Sequence, residues 1–178
     1  MKRALILLPI LLLALIVAGC KQEPEYAEAE EFSFVVYPGA RYLGELTEVT
    51  RQAHKLAKPD QEPPPVAIYD TDASVEDVAN FYAKSYGYSS VAPDATNNLS
   101  ATKPPAYFRT GELADDAKSV EATLPKLGLT TDISKAQGSY KAAEIEMRPN
   151  RPRVTVQRPY FNVKTSEVVD RTIILMAR

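Results

Sequence analysis

Thiol chemistry is nearly absent from this sequence, because Cys20 is the only cysteine among 178 residues. A lone thiol excludes an intramolecular disulfide and a cysteine zinc cluster. Histidine is equally scarce. His54 is the only one, flanked by Arg51 and Lys55 on the polar side of a helical pattern, so it reads as a surface residue. A general base needs a positioned partner and a pocket, and a single histidine among cations signals neither. The chain also lacks a Gly-x-Ser-x-Gly elbow, a phosphate-binding loop, a dinucleotide fingerprint and a His-Glu-x-x-His pair. Hydrolase and zinc chemistry are both disfavoured, and no cofactor or metal is expected. Excess positive charge is missing too: 21 basic side chains stand against 23 acidic ones. That balance argues against a nucleic-acid partner.

What is present begins with an address. Lys2 and Arg3 form a short positive region, and Ala4 to Val17 is an apolar run broken only by Pro9. The run is short for a membrane span and belongs to targeting rather than to the fold. Val17-Ala18-Gly19-Cys20 places an aliphatic residue and two small ones before the cysteine. This junction resembles the lipobox of bacterial lipoproteins. The resemblance implies that residues 1–19 are a signal peptide, cut before Cys20, and that Cys20 carries a diacylglycerol and an acylated amine. Several acyl chains on one residue give stable anchoring where one gives only marginal binding. In enterobacterial members an aspartate after the cysteine commonly retains the protein at the inner membrane. Lys21 stands there instead, which implies the periplasmic face of the outer membrane.

Without its first 19 residues the chain keeps 159 of 178, and loss of Lys2 and Arg3 leaves 19 basic against 23 acidic side chains. That length suits one domain, and with no disulfide it must be held by its core. Residues 20–31 comprise the lipidated cysteine and an acidic segment with Glu23, Glu25, Glu28, Glu30 and Glu31. The segment has no core-forming pattern and reads as a tether. Fully extended, its eleven residues after the cysteine reach about 36–40 Å.

Residues 32–178 carry the folding pattern. Phe32 to Tyr37 is aromatic and β-branched, a short strand ended by Pro38-Gly39. The spacing predicts a helix over Ala40 to Ala57, with Tyr42, Leu43, Leu46, Val49, Ala53, Leu56 and Ala57 on one side. Val66 to Asp70 is a second strand. Ser74 and Asp77 match a capping box that opens a second helix, with Val75, Val78, Ala79, Tyr82 and Tyr86 as its buried stripe and Gly87 at its C-terminal cap. Tyr88 to Pro105 is a loop and Ala106 to Arg109 a short strand. Glu112 to Leu127 predicts a third helix that Pro125 kinks or ends early. Lys141 to Arg148 and Arg153 to Tyr160 alternate as strands around a Pro149-Asn150-Arg151-Pro152 turn. Thr172 to Met176 is apolar on both faces, as a central strand would be. The order predicts an α+β domain: a mostly antiparallel sheet with about three helices packed on one face. Tyr37-Pro38-Gly39-Ala40, Tyr69-Asp70-Thr71-Asp72-Ala73 and the following helix resemble a pattern in uncharacterised bacterial lipoproteins, a class that implies no activity.

Three clusters stand out. Arg148, Arg151 and Arg153 surround the Pro149–Pro152 turn, with Arg158 further along. Guanidinium forks match carboxylate and phosphate geometry, so the first three form the candidate surface for an anionic polymer or an envelope protein. A solvated hairpin whose charges deter aggregation is the plainer account. Strand parity puts Arg158 with Val154 and Val156, which predicts a buried or edge ion pair. Asp70, Asp72, Glu76 and Asp77 crowd the start of the second helix, where acids stabilise the helix end without further purpose. The EF-hand spacing is missing, so they are not assigned to calcium. Tyr82, Tyr86 and Tyr88 are spaced as core residues, although aromatic clusters also grip sugars and peptides. These features predict a lipid-anchored envelope protein with a non-enzymatic binding or scaffolding domain. The alternative is an enzyme on envelope polymers that uses carboxylates such as Asp70 and Asp72.

Overall fold

The computed structural model of the chain describes residues 26–27, 34–93 and 104–178. The expected signal segment, Cys20, and all but Tyr26–Ala27 of the expected tether lie outside the described residues.

The described chain begins with β1 (Tyr26–Ala27) and β2 (Phe34–Val35), which pair antiparallel, so two residues of the predicted tether take part in strand pairing. A Pro38-Gly39 turn, with Gly39 at φ +77°, leads to β3 (Arg41–Tyr42) and α1 (Gly44–Ala57). The helix starts later than its apolar spacing predicts, because Arg41 and Tyr42 pair with Asp70 and Tyr69 of β4 (Val66–Thr71). Thr47 fastens α1 to β4: its hydroxyl donates to the Leu43 carbonyl at 3.1 Å and accepts the Ile68 N–H at 3.0 Å. Next comes α2 (Val75–Ser85), capped as predicted. Asp77 N–H donates to the Ser74 hydroxyl, and that hydroxyl donates to the Asp77 carboxylate.

β5 (Ala106–Glu112) runs into α3 (Leu113–Val120). The third helix is shorter than predicted and ends before Pro125. A ring without an N–H cannot bond back to Glu121, so a 3₁₀ turn at Leu124–Leu127 follows instead. A second 3₁₀ turn, Ile133–Lys135, precedes β6 (Ser139–Ile145), β7 (Arg153–Arg158), β8 (Tyr160–Asn162), β9 (Glu167–Val169) and β10 (Thr172–Ala177). The main sheet has the order β3-β4-β10-β7-β6-β5 with every pairing antiparallel, and β8 and β9 form a small separate hairpin. β10 sits inside the sheet, as its two-sided apolarity predicts.

The class is α+β. Alternation along the strands assigns the two faces. Ala67, Tyr69, Ala143, Ile145, Val154, Val156, Ile174 and Met176 meet Val78, Ala79 and Tyr82 of α2 in the larger core. Ile68 packs with Leu46 of α1 on the other face, where Ala142 and Tyr140 meet Leu113 and Ala117 of α3. The helices therefore divide between both faces rather than sharing one. The cause is the parity of Ile68, Ile173 and Leu175, which gives the second face apolar surface of its own to bury. Met147, expected in line with Ala143 and Ile145, is 48% exposed because β6 ends at Ile145.

Candidate functional site

The best-defined surface joins two clusters that are far apart in the sequence. Tyr82 lies on α2 and Tyr86 one turn further, at its C-terminal cap. Gly87, at φ +76°, turns the chain back so that Tyr88 N–H donates to the Ala83 carbonyl at 2.9 Å. This sets the three rings in a row, with centroid separations of 6.3 Å for Tyr82–Tyr86 and 6.4 Å for Tyr86–Tyr88. The Tyr86 hydroxyl donates to the Pro152 carbonyl at 2.9 Å and the Tyr88 hydroxyl to the Glu146 carbonyl at 3.1 Å. Both bonds tie α2 to the connection between β6 and β7. Within it, Arg151 N–H donates to the Arg148 carbonyl at 2.9 Å, and Asn150 takes the left-handed conformation at φ +59°.

The turn thereby lays its arginines on the tyrosines. The Arg148 guanidinium carbon is 4.5 Å from the Tyr88 centroid, and that of Arg151 is 5.9 Å from the Tyr86 centroid. Burial raises the Tyr86 hydroxyl pKa against the opposing effect of Arg151, so Tyr86 stays a neutral donor. A guanidinium held over an aromatic ring by cation–π attraction does not spend its N–H donors on a carboxylate. Among the described residues, no carboxylate forms an ion pair with Arg148, Arg151 or Arg153. Arg148 and Arg153 are exposed and Arg151 is half-buried. Arg153 does not join the tyrosine row. It pairs opposite Ala177, and its parity places it with Thr155 and Gln157 on the other face. Arg158 forms the ion pair its parity predicts, donating through Nε to Asp170 at 2.8 Å and through a terminal nitrogen to the Asp72 carbonyl at 3.0 Å.

The acidic cluster differs from the helix-capping group expected from the sequence. Glu76 and Asp77 do stand in the first turn of α2, where Asp77 completes the Ser74 cap and Glu76 also pairs with Lys141, whereas Asp70 and Asp72 lie outside the helix. Asp70 lies on β4 with no exposed surface. It accepts Arg41 Nε at 3.1 Å and Arg41 Nη2 at 2.8 Å, Arg171 Nε at 3.1 Å and the Tyr160 hydroxyl at 3.2 Å. Burial pushes the carboxyl pKa up, but the two guanidinium groups outweigh it and hold Asp70 below the usual range. Asp72 is engaged by Arg171. A buried aspartate in an otherwise apolar strand requires a cation. That was the sequence signal for this clamp, which carboxylate spacing alone does not reveal.

His54 is half-buried rather than on the surface, and its Nε2 is enclosed without a hydrogen-bond partner among the described residues. Those residues also contain no group of three histidine, cysteine or acidic side chains able to hold a metal ion. A broad groove of about 560 Å³ runs between the end of α1, Pro63–Pro65 and Lys126–Leu127. Its charges are mixed and partly paired, Lys55 with Glu62 at 3.6 Å. Comparison with known proteins assigns no relationship: the chain matches no family model, no curated protein and no solved structure.

Proposed function

We propose that this chain is a lipid-anchored cell-envelope protein whose folded domain binds an anionic partner without catalysing a reaction. The observation that carries the binding role is the pair Arg148 and Arg151, each stacked on a tyrosine ring and neither paired with a carboxylate among the described residues. A guanidinium held against a ring loses less freedom on meeting an anion than one on a free side chain, so the pair is arranged before the partner arrives. The partner's chemistry is a polymer or protein segment that bears carboxylates or phosphates. Arg153 adds charge beyond the turn without sharing the tyrosine row.

The anchoring role rests on Val17-Ala18-Gly19-Cys20 and the positive and apolar segments before it. Lys21 favours the outer membrane in bacteria that possess one. The carboxylate-enzyme reading is the weaker one, because Asp70 accepts four hydrogen bonds and Asp72 is paired. Neither resembles a free acid at the floor of a cleft.

The test is retention of the full chain on immobilised polyphosphate and polyglutamate, in detergent micelles, across a salt series. Wild type should bind and elute earlier as salt rises, because screening shortens the Debye length. Arg148→Ala with Arg151→Ala should elute at markedly lower salt. Identical elution of the two proteins would remove the arginine turn as the binding surface.

A further inference from the structure

A cleft of about 270 Å³ lies over the second face of the sheet, away from the arginine turn. It exists because α1 packs chiefly on β4 while α3 packs on β5 and β8, so the middle of this face stays open. Ile68, Ile173 and Leu175 form an apolar floor, and Val120 of α3, 39% exposed, forms part of the rim. The volume falls near the small end of ligand pockets, which start at about 300 Å³.

The polar lining is richer in free acceptors than in free donors. The Thr50 hydroxyl spends its proton on the Leu46 carbonyl at 2.9 Å, and Thr155 spends its proton on the Glu144 carboxylate at 2.7 Å. The Gln157 amide nitrogen points to the Pro159 carbonyl at 3.4 Å, and the Tyr160 hydroxyl donates to Asp70. Each hydroxyl donor is thus committed, while oxygen lone pairs and one Gln157 amide N–H remain. Asp116 is the only charged residue in the lining. Its Oδ1 accepts from the Tyr140 hydroxyl at 3.2 Å, and no cation among the described residues forms an ion pair with it. The nearest linked cation, Arg109, donates to that same tyrosine but is neutralised by Glu144 at 3.0 Å. Arg109, Glu144 and Asp116 together leave one negative charge beside an apolar floor.

We propose that this cleft binds a small organic ammonium ion whose apolar body lies on Ile68, Ile173 and Leu175 and whose charged nitrogen donates to Asp116. A cation complements Asp116, the one charge in the lining, and an anion would meet that carboxylate with no compensating cation. The site is separate from the Arg148 and Arg151 turn, since it uses the other face of the sheet and the opposite charge, and Arg153, which shares that face, is not part of its lining.

The test titrates the full chain, in detergent micelles, with 2-phenylethylammonium and with its anionic counterpart 3-phenylpropanoate. Amide shifts of Val120, Thr155 and Gln157 in nuclear magnetic resonance spectra locate the binding. The ammonium should bind about tenfold more tightly than the carboxylate, the scale of one charge-assisted hydrogen bond. Asp116→Asn should abolish that preference, whereas Asp115→Asn, which changes an exposed neighbour outside the lining, should keep it. Equal binding of the two probes, a preference that survives Asp116→Asn, shifts confined to other surfaces, or no saturable binding at low millimolar ammonium would each overturn the proposal. Loss of polyanion retention by the arginine variants leaves these readouts untouched, so the two sites are tested separately.

Discussion

The Arg148 guanidinium rests 4.5 Å above the Tyr88 ring, and Tyr88 reaches past it to donate its hydroxyl to the Glu146 carbonyl. One tyrosine therefore does two separable jobs. Its ring supports the cation, and its hydroxyl ties the end of α2 to the strand connection that carries Arg148. Tyr88→Phe keeps the ring and loses the tie, which should cost about 0.5–1.5 kcal/mol of stability. Tyr88→Leu loses both. In polyanion retention, Tyr88→Phe should behave nearly as wild type and Tyr88→Leu should elute at lower salt. If both variants elute alike, ring stacking contributes nothing to binding.

Asp70 predicts a pH dependence of stability with a definite sign. Its folded pKa lies below the ordinary value of 3.8, despite burial, because Arg41 and Arg171 donate to it. Below that ordinary value the unfolded chain binds a proton that the folded chain resists, so stability rises with pH there. The contribution is fully present above about pH 4 and is lost as the pH falls through the folded pKa. Asp70→Asn should destabilise the domain at neutral pH, because Arg41 and Arg171 lose their shared carboxylate, although both guanidinium groups remain open to water, which limits the loss. It should also flatten the acid limb. Urea midpoints between pH 2 and 7, on the order of the range where carboxylates titrate, would check both. An unchanged acid limb in the variant would transfer the pH dependence to other carboxylates.

Period and parity made much of this fold legible. The capping box at Ser74, the glycine cap at Gly87 and the two-sided apolarity of β10 are local patterns whose physics does not depend on the rest of the chain. Arg158 was legible for the same reason, since alternation alone separates it from Arg153. Other features depended on partners distant in sequence. Arg41 and Tyr42 carry helical spacing, yet they pair with β4 because that edge offers unspent backbone groups. Asp70 looked like a helix-start acid until Arg171, a hundred residues on, was brought beside it. The arginine turn and the tyrosine row were visible as two clusters. Their stacking was not, because it depends on the path between β6 and β7.

The anchoring proposal makes a covalent prediction. Cys20→Ala should abolish incorporation of labelled fatty acid and leave the precursor unprocessed, because the cleavage resembled here requires a modified cysteine. The mature wild-type protein should have a mass that matches residues 20–178 plus lipid. Intact-mass measurement that shows Met1 retained, or Cys20 without acyl groups, would refute the anchor while leaving both surface proposals standing.

Gly111 carries the last prediction. It sits on β5 directly opposite Tyr140 of β6, and the tyrosine side chain lies over it. A methyl group at position 111 would collide with the Tyr140 hydroxyl and Cζ. That ring is buried, and its hydroxyl is linked to both Arg109 and Asp116, so it cannot move without straining those bonds. Alanine would ordinarily improve a strand glycine by restricting the unfolded chain, by about 0.4–1 kcal/mol. Overpacking of about 1–3 kcal/mol should exceed that gain, so Gly111→Ala should be destabilising. The cause can be isolated with Tyr140→Leu, which removes the obstructing atoms. In that background Gly111→Ala should cost little or become favourable, a coupling of about 1 kcal/mol or more between facing residues. Urea denaturation of the two single variants and the double variant gives that coupling directly. Additive losses would mean that Gly111 is required for some reason other than room for Tyr140.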